Sequence, residues 1–103
     1  MSLPKSIEKI KPEIIFHLAA QPIVRRSFDS TIKTFETNLM GTVHLLETMK
    51  QATSPRVAVI VTSDKCYNNL DVGMSFTEDS PLGGDDPYSA SKACAEIATQ
   101  SFI

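Results

Sequence analysis

The sequence predicts an α/β fold built on a parallel sheet, and three observations carry that prediction. Two short, nearly continuous apolar runs, "EIIFHLAA" and "VAVIVT", read as strands covered on both faces. A long helical pattern lies between them, the arrangement of a βαβ crossover rather than a hairpin. A further helical segment follows "TSDK", so the order is strand, helix, strand, helix.

Each element has its own signal. Residues 6–12, "SIEKIKP", read as the tail of a helix stopped by Pro12. The first strand carries Ile14, Ile15, Phe16 and Leu18, and the second covers Val57 to Thr62 with β-branched residues. Between them the pattern predicts one helix over 29–52, with Ile32, Phe35, Leu39, Val43 and Leu46 as its apolar stripe. Gly41 inside that helix costs about 1 kcal/mol relative to alanine and suggests tight backbone packing. An irregular stretch, Asn68 to Asp85, holds Gly73, Pro81, Gly83 and Gly84. A last helix starts at Pro87, with Asp86 as its N-cap.

Two parallel strands cannot by themselves cover both faces or protect both edges of a sheet. The last helix also runs into "TQSFI" without a glycine, asparagine or proline stop. The expectation is a piece from the middle of a larger doubly wound α/β domain, with Met1-Ser2-Leu3 an expression scar. At 103 residues it is one domain at most.

Composition narrows the function classes. The apolar and charged fractions, 42% and 21%, are those of an ordered protein. A net charge of −2 offers no basic footprint for nucleic acid. No apolar run is long enough to span a membrane, and the start lacks the regions of a signal peptide. Cys66 and Cys94 read as free thiols of a cytoplasmic protein; with His17 and His44 they form no metal framework.

The chemistry concentrates near the end. Tyr88 falls in the first turn of the last helix and Lys92 one turn later on the same face. The helix N-terminus is partially positive, and a nearby ammonium favours phenolate over phenol, the form a general base requires. Thr62, Asp64 and Lys65 sit at the carboxyl end of the second strand, where open parallel sheets bind ligands. Ala19 and Ala20, after the first strand, are small enough for a flat ligand to lie against the backbone.

Together these residues resemble the extended short-chain dehydrogenase/reductase family. "FHLAAQ", "TNLMGT", "TSDK" and "YSASK" occur in the family's order and run over nearly the whole chain. Within the family, the Asp64-Lys65 pair looks most like nucleotide-sugar 4,6-dehydratases that act on CDP-glucose. The resemblance implies a Rossmann-like doubly wound sheet, of which residues 1–103 are the middle segment. The family's glycine-rich turn and its C-terminal substrate lobe do not occur in these residues. The chain alone is therefore expected neither to bind NAD tightly nor to turn over substrate.

The resemblance also implies roles. Tyr88 would take the proton of the sugar's 4-hydroxyl as hydride leaves C4 for NAD. Lys92 would hold the nicotinamide ribose, and Thr62 would hydrogen-bond the same hydroxyl as Tyr88. Water would then leave across C5 and C6, and hydride would return to C6 to give a 4-keto-6-deoxy sugar nucleotide. Asp64 would be the acid or base of that elimination and Lys65 its partner, their division of labour left open. Leu18, Ala19 and Ala20 would line the cofactor site, and Gln21 and Asp64 the substrate site. Asn38 would support local geometry; Arg26 matches a family arginine without an assigned role. Relatives pair the helices corresponding to 29–52 and 87–103 in homodimers, and Ala90, Ala93, Cys94, Ile97 and Ser101 lie roughly on one side of the second. An epimerase or reductase of the same family, and a non-catalytic dimerisation segment, are the competing readings.

Overall fold

Two parallel strands, β1 (Ile14–His17) and β2 (Val57–Ile60), form the sheet, with Ile14 opposite Val57 and His17 opposite Ile60. The computed structural model describes residues 2–69, 73 and 75–103. The expectations for Met1 and for residues 70–72 and 74 of the irregular stretch lie outside the described residues. Side chains alternate along each strand: Ile15, His17, Ala58 and Ile60 turn to the helical side and are half-buried. Ile14, Phe16, Val57 and Val59 are exposed on the other side. The continuous apolar runs predicted cover on both faces. Among the described residues only one face is covered, the one from which His17 reaches Thr42 of the helical layer.

Before β1 comes α1 (Leu3–Ile10), the helix whose tail was read in residues 6–12, with Pro4 preorganising its first turn. Its stop is Lys11 rather than Pro12: Lys11 adopts the left-handed conformation, φ 53°, and its N–H bonds the carbonyl of Ile7 at 2.8 Å. Ile7 is the buried anchor of the helix.

The connection between the strands differs from the single predicted helix. A short helix, α2 (Val24–Asp29), comes first and ends at Ser30, whose ψ of 54° breaks the helical path. Helix α3 (Thr31–Phe35) then runs through one wide π turn, Glu36–Met40, into α4 (Gly41–Gln51). The hydroxyls of Thr31 and Thr34 accompany the break, donating to the carbonyls of Ser27 at 2.9 Å and Ser30 at 2.8 Å.

The buried stripe is also not the predicted one. Thr34, Asn38, Thr42, Leu45 and Leu46 are buried, whereas Ile32 is 76% exposed and Phe35, Leu39 and Val43 are half-buried. The inward threonines return their donors to the helix itself, as when Thr42 bonds the carbonyl of Asn38 at 2.8 Å, and Asn38 finds its partners on neighbouring segments. Gly41 is not at a tight crossing: an added Cβ would meet the Glu36 carbonyl at an ordinary 3.7 Å. Gly84 is. A Cβ there would lie 2.5 Å from the backbone nitrogen of Ala90.

The last helix, α5 (Pro87–Ser101), starts as the sequence indicates. Asp86 caps it, accepting from the Ser89 N–H at 2.9 Å and the Ser89 hydroxyl at 2.7 Å. Ser91, Ala93 and Ala95 are buried, and such small side chains let α5 pack closely on α2, α3, α4 and the π turn. No helix among the described residues is long and apolar enough to cross a membrane.

Candidate active site

The carboxyl ends of β1 and β2 open toward one face of α5. On that face Tyr88, Lys92 and Glu96 follow one another at one-turn intervals, so three functional side chains share a single row. Tyr88 is buried in the first turn. Lys92 is 5% exposed and donates from Nζ to the carbonyl of Val61 at 3.4 Å, just beyond the end of β2. Burial disfavours its charged form and holds its pKa below the ordinary lysine value.

His17, the last residue of β1, faces the same interior. Its Nε2 lies 3.2 Å from the hydroxyl of Thr42. Burial, with the Lys92 charge as a second cause, lowers its pKa, so the imidazole stays neutral at neutral pH.

After β2 the chain runs extended to Ser63 and then turns sharply through a 3₁₀ turn, Asp64–Cys66. Thr62 points inward, and its hydroxyl donates to the carboxylate of Glu96. Successive residues of an extended segment point to opposite sides, which turns Ser63 away from α5. The Ser63 hydroxyl accepts from the Lys65 N–H at 3.2 Å and lies 3.3 Å from the Asp64 carboxylate. Asp64 and Lys65 are exposed and line a cleft with Tyr67, Asn68, Phe76, Gly84, Asp85 and Ser89. The rings of Tyr67 and Phe76 stack there with centroids 5.0 Å apart. Among the described residues the ion pair within 4.0 Å is Lys50–Glu47 on α4, so Asp64 and Lys65 are neighbours without being an ion pair.

The loop after β1 is held from behind. Asn38, 1% exposed in the π turn, accepts from the Gln21 N–H at 2.8 Å, and its Nδ2 donates to the Gln21 carbonyl at 3.2 Å and the Ser91 hydroxyl at 2.9 Å. One side chain thus ties this loop to α5. The Gln21 side chain is engaged as well: Nε2 donates to Thr34 Oγ1 at 2.9 Å and to the Ile23 carbonyl at 3.1 Å, and Oε1 accepts from the Ile23 N–H at 2.8 Å. These bonds give Gln21 a loop-shaping role where the resemblance implied substrate contact. Leu18 and Ala19 are exposed at the strand end, Ala20 is half-buried, and Arg26 lies farther along a groove with Ser30, Lys33 and Thr37.

The fold therefore places Thr62, Tyr88 and Lys92 together around the end of β2, and Asp64 and Lys65 across the turn in the adjoining cleft. Gln21 and Arg26 stand apart from that cleft. The sequence reading gave no site role to Glu96, His17, Ser63 or Cys66. Glu96 was within reach, since it continues the Tyr88–Lys92 spacing by one more turn. His17 was within reach by alternation, as the last helix-facing residue of its strand.

The sequence profile of the GDP-mannose 4,6 dehydratase family matches residues 1–103. A CDP-glucose 4,6-dehydratase of Salmonella typhimurium is 53% identical over 100 residues, which cover 97% of this chain and 28% of that protein. Among solved structures, DesIV, a dTDP-glucose 4,6-dehydratase of Streptomyces venezuelae with NAD bound, superposes with a TM-score of 0.86 at 36% identity, over 97% of this chain and 30% of that one. MoeE5 in complex with UDP-glucose and NAD gives a TM-score of 0.82 at 31% identity, over 99% and 32%. The chain thus spans less than a third of the length of each of these relatives. It belongs to the GDP-mannose 4,6 dehydratase family, with the Rossmann-type α/β fold of the extended short-chain dehydrogenase/reductases.

Proposed function

We propose that residues 1–103 are the middle segment of the NAD-binding catalytic domain of a nucleotide-sugar 4,6-dehydratase, with CDP-glucose as the substrate. The observation that carries this reading is the row on α5: a tyrosine in the first turn and a buried lysine one turn later, set against the end of β2 beside Asp64 and Lys65. Identity of 53% to a CDP-glucose enzyme supports the choice of nucleotide.

The donor set suits a nicotinamide ribose. The Lys92 ammonium has three N–H donors, and its bond to Val61 leaves others for ribose hydroxyls. Leu18, Ala19 and Ala20 at the adjacent strand end leave room for a flat group. NAD, when bound, supplies a hydride acceptor at the sugar's C4 and a hydride donor at C6.

The chain's own residues do the rest. Tyr88 takes the proton from the 4-hydroxyl, and the Lys92 ammonium stabilises the phenolate that this requires. Thr62 was expected to bond the same hydroxyl, but its donor is committed to Glu96; the Ser63 hydroxyl, on the other side of the chain, is better turned to meet the sugar. Once C4 is a ketone the C5 proton is acidic. Asp64 and Lys65, exposed on one turn, remove that proton and protonate the departing 6-hydroxyl.

In the intact enzyme we place a homodimer along helices 29–52 and 87–103, where Ile32 and Met40 on the first and Ile97 on the second are exposed. Ala93 is buried within the chain itself, and Ala90 and Cys94 are half-buried, so the side first read on the last helix serves internal packing in part.

The test is incubation of the full-length enzyme with NAD and, in parallel, CDP-glucose, dTDP-glucose and GDP-mannose. Mass spectrometry should show loss of one water from CDP-glucose first. Conversion at C4 without water loss would identify an epimerase instead.

A further inference from the structure

We propose that Glu96 is a positioning residue for the candidate site: through Thr62 it braces the turn that displays Asp64 and Lys65. The proposal rests on the dehydratase reading for the purpose of the brace, though not for its existence.

Consecutive residues leaving β2 are fastened to consecutive turns of α5. The Val61 carbonyl accepts from Lys92, and the Thr62 hydroxyl donates to Glu96. Cys66, the last residue of the turn, is held separately, through its backbone. Cys66 is 2% exposed, its N–H bonds the Ser63 carbonyl at 3.1 Å, and its own carbonyl accepts from Gly83 at 2.9 Å. Only Ser63, Asp64 and Lys65 lie between Thr62 and Cys66. With both ends of so short a segment held, the two exposed side chains between them have little freedom to move.

The chemistry explains why a carboxylate stands at that place. Glu96 is half-buried beside a hydroxyl that would otherwise be free to rotate toward the substrate side. An ionised acceptor makes the stronger hydrogen bond and fixes the direction of the Thr62 proton. Displacing a reacting group by about 1 Å can cost on the order of 10²-fold in rate, so a brace of this kind has a catalytic consequence without touching substrate.

The test uses the full-length enzyme with Thr62→Val, Thr62→Ser, Glu96→Gln and the double variant Thr62→Val/Glu96→Gln. Backbone amide exchange is read first. At Lys65 and Cys66 it should accelerate about 10-fold or more in Thr62→Val and Glu96→Gln, return close to wild type in Thr62→Ser, and leave the amides of Ser91 to Ala95 unchanged. Steady-state kinetics should show kcat down roughly 10- to 100-fold in the two disrupting variants, with KM for the nucleotide sugar within about 3-fold. The double variant should be no slower than the worse single. Unchanged exchange at the turn, or equal acceleration throughout α5, overturns the brace. So does a kcat loss that Thr62→Ser fails to restore. If the wild-type enzyme dehydrates no nucleotide sugar, the functional reading fails, and the exchange result alone decides the brace.

Discussion

The buried ammonium of Lys92 lies against the backbone carbonyl of Val61, 3.4 Å away, where strand β2 ends. A charge held in such a place opposes folding, and the fold retains it. Between the lowered pKa of the folded state and the ordinary value of 10.5, the unfolded chain binds more protons, so stability rises with pH there. Below that window both states are protonated and the penalty is constant. Lys92→Met should therefore leave the thermal midpoint at pH 7 unchanged or higher while removing about 10²-fold or more of the activity. Thermal melts and turnover on the same preparation check both halves; a lowered midpoint would contradict the burial argument.

His17 carries the complementary pH dependence. Burial first, and the Lys92 charge second, hold its folded pKa below 6.5. The neutral ring is stable above pH 6.5, and stability is lost as pH falls from there through the folded value. His17→Gln should flatten this acid limb. Midpoints compared between pH 5 and 7.5 read it directly, and an unchanged slope would show that other groups cause it.

Asn38 joins the loop after β1 to α5 by bonds to both backbone groups of Gln21 and to Ser91. Asn38→Ala leaves these buried partners unsatisfied and should cost about 2–3 kcal/mol in denaturant unfolding. Asn38→Asp keeps the acceptor toward the Gln21 N–H and should cost less.

Gly84 brings the irregular segment close against the start of α5. A methyl group there would lie 2.5 Å from the Ala90 nitrogen and 2.6 Å from the Ser89 carbonyl carbon. Gly84→Ala should destabilise by about 1–3 kcal/mol, whereas Gly41→Ala, with its nearest neighbour at 3.7 Å, should stabilise by up to about 1 kcal/mol. Matched unfolding curves of the two variants test the contrast, and equal effects would refute it.

How far the sequence speaks for the structure depends on the element. Strands β1 and β2 and the start of α5 were legible because β-branched runs and the Asp86-Pro87 cap act locally. The break at Ser30 and the wide turn at Glu36–Met40 were not, since a periodic pattern cannot register a single-residue slip in a helix. Thr34, Asn38 and Thr42 took the buried stripe from Ile32 and Phe35 with their hydroxyl and amide groups satisfied inside the protein. At the site, Tyr88, Lys92, Asp64 and Lys65 stood out by spacing and residue type. The direction of Thr62 did not, because whether a hydroxyl faces ligand or brace is set by Glu96, thirty-four residues away.

We propose that the enzyme containing this chain moves hydride from C4 to C6 of one sugar while expelling water. Full-length enzyme given CDP-glucose deuterated at C4, in ordinary water, tests it most directly. Deuterium should appear at C6 of a dehydrated product, as read by NMR and mass spectrometry. Deuterium returned to C4 with inverted configuration and no water lost would contradict the account.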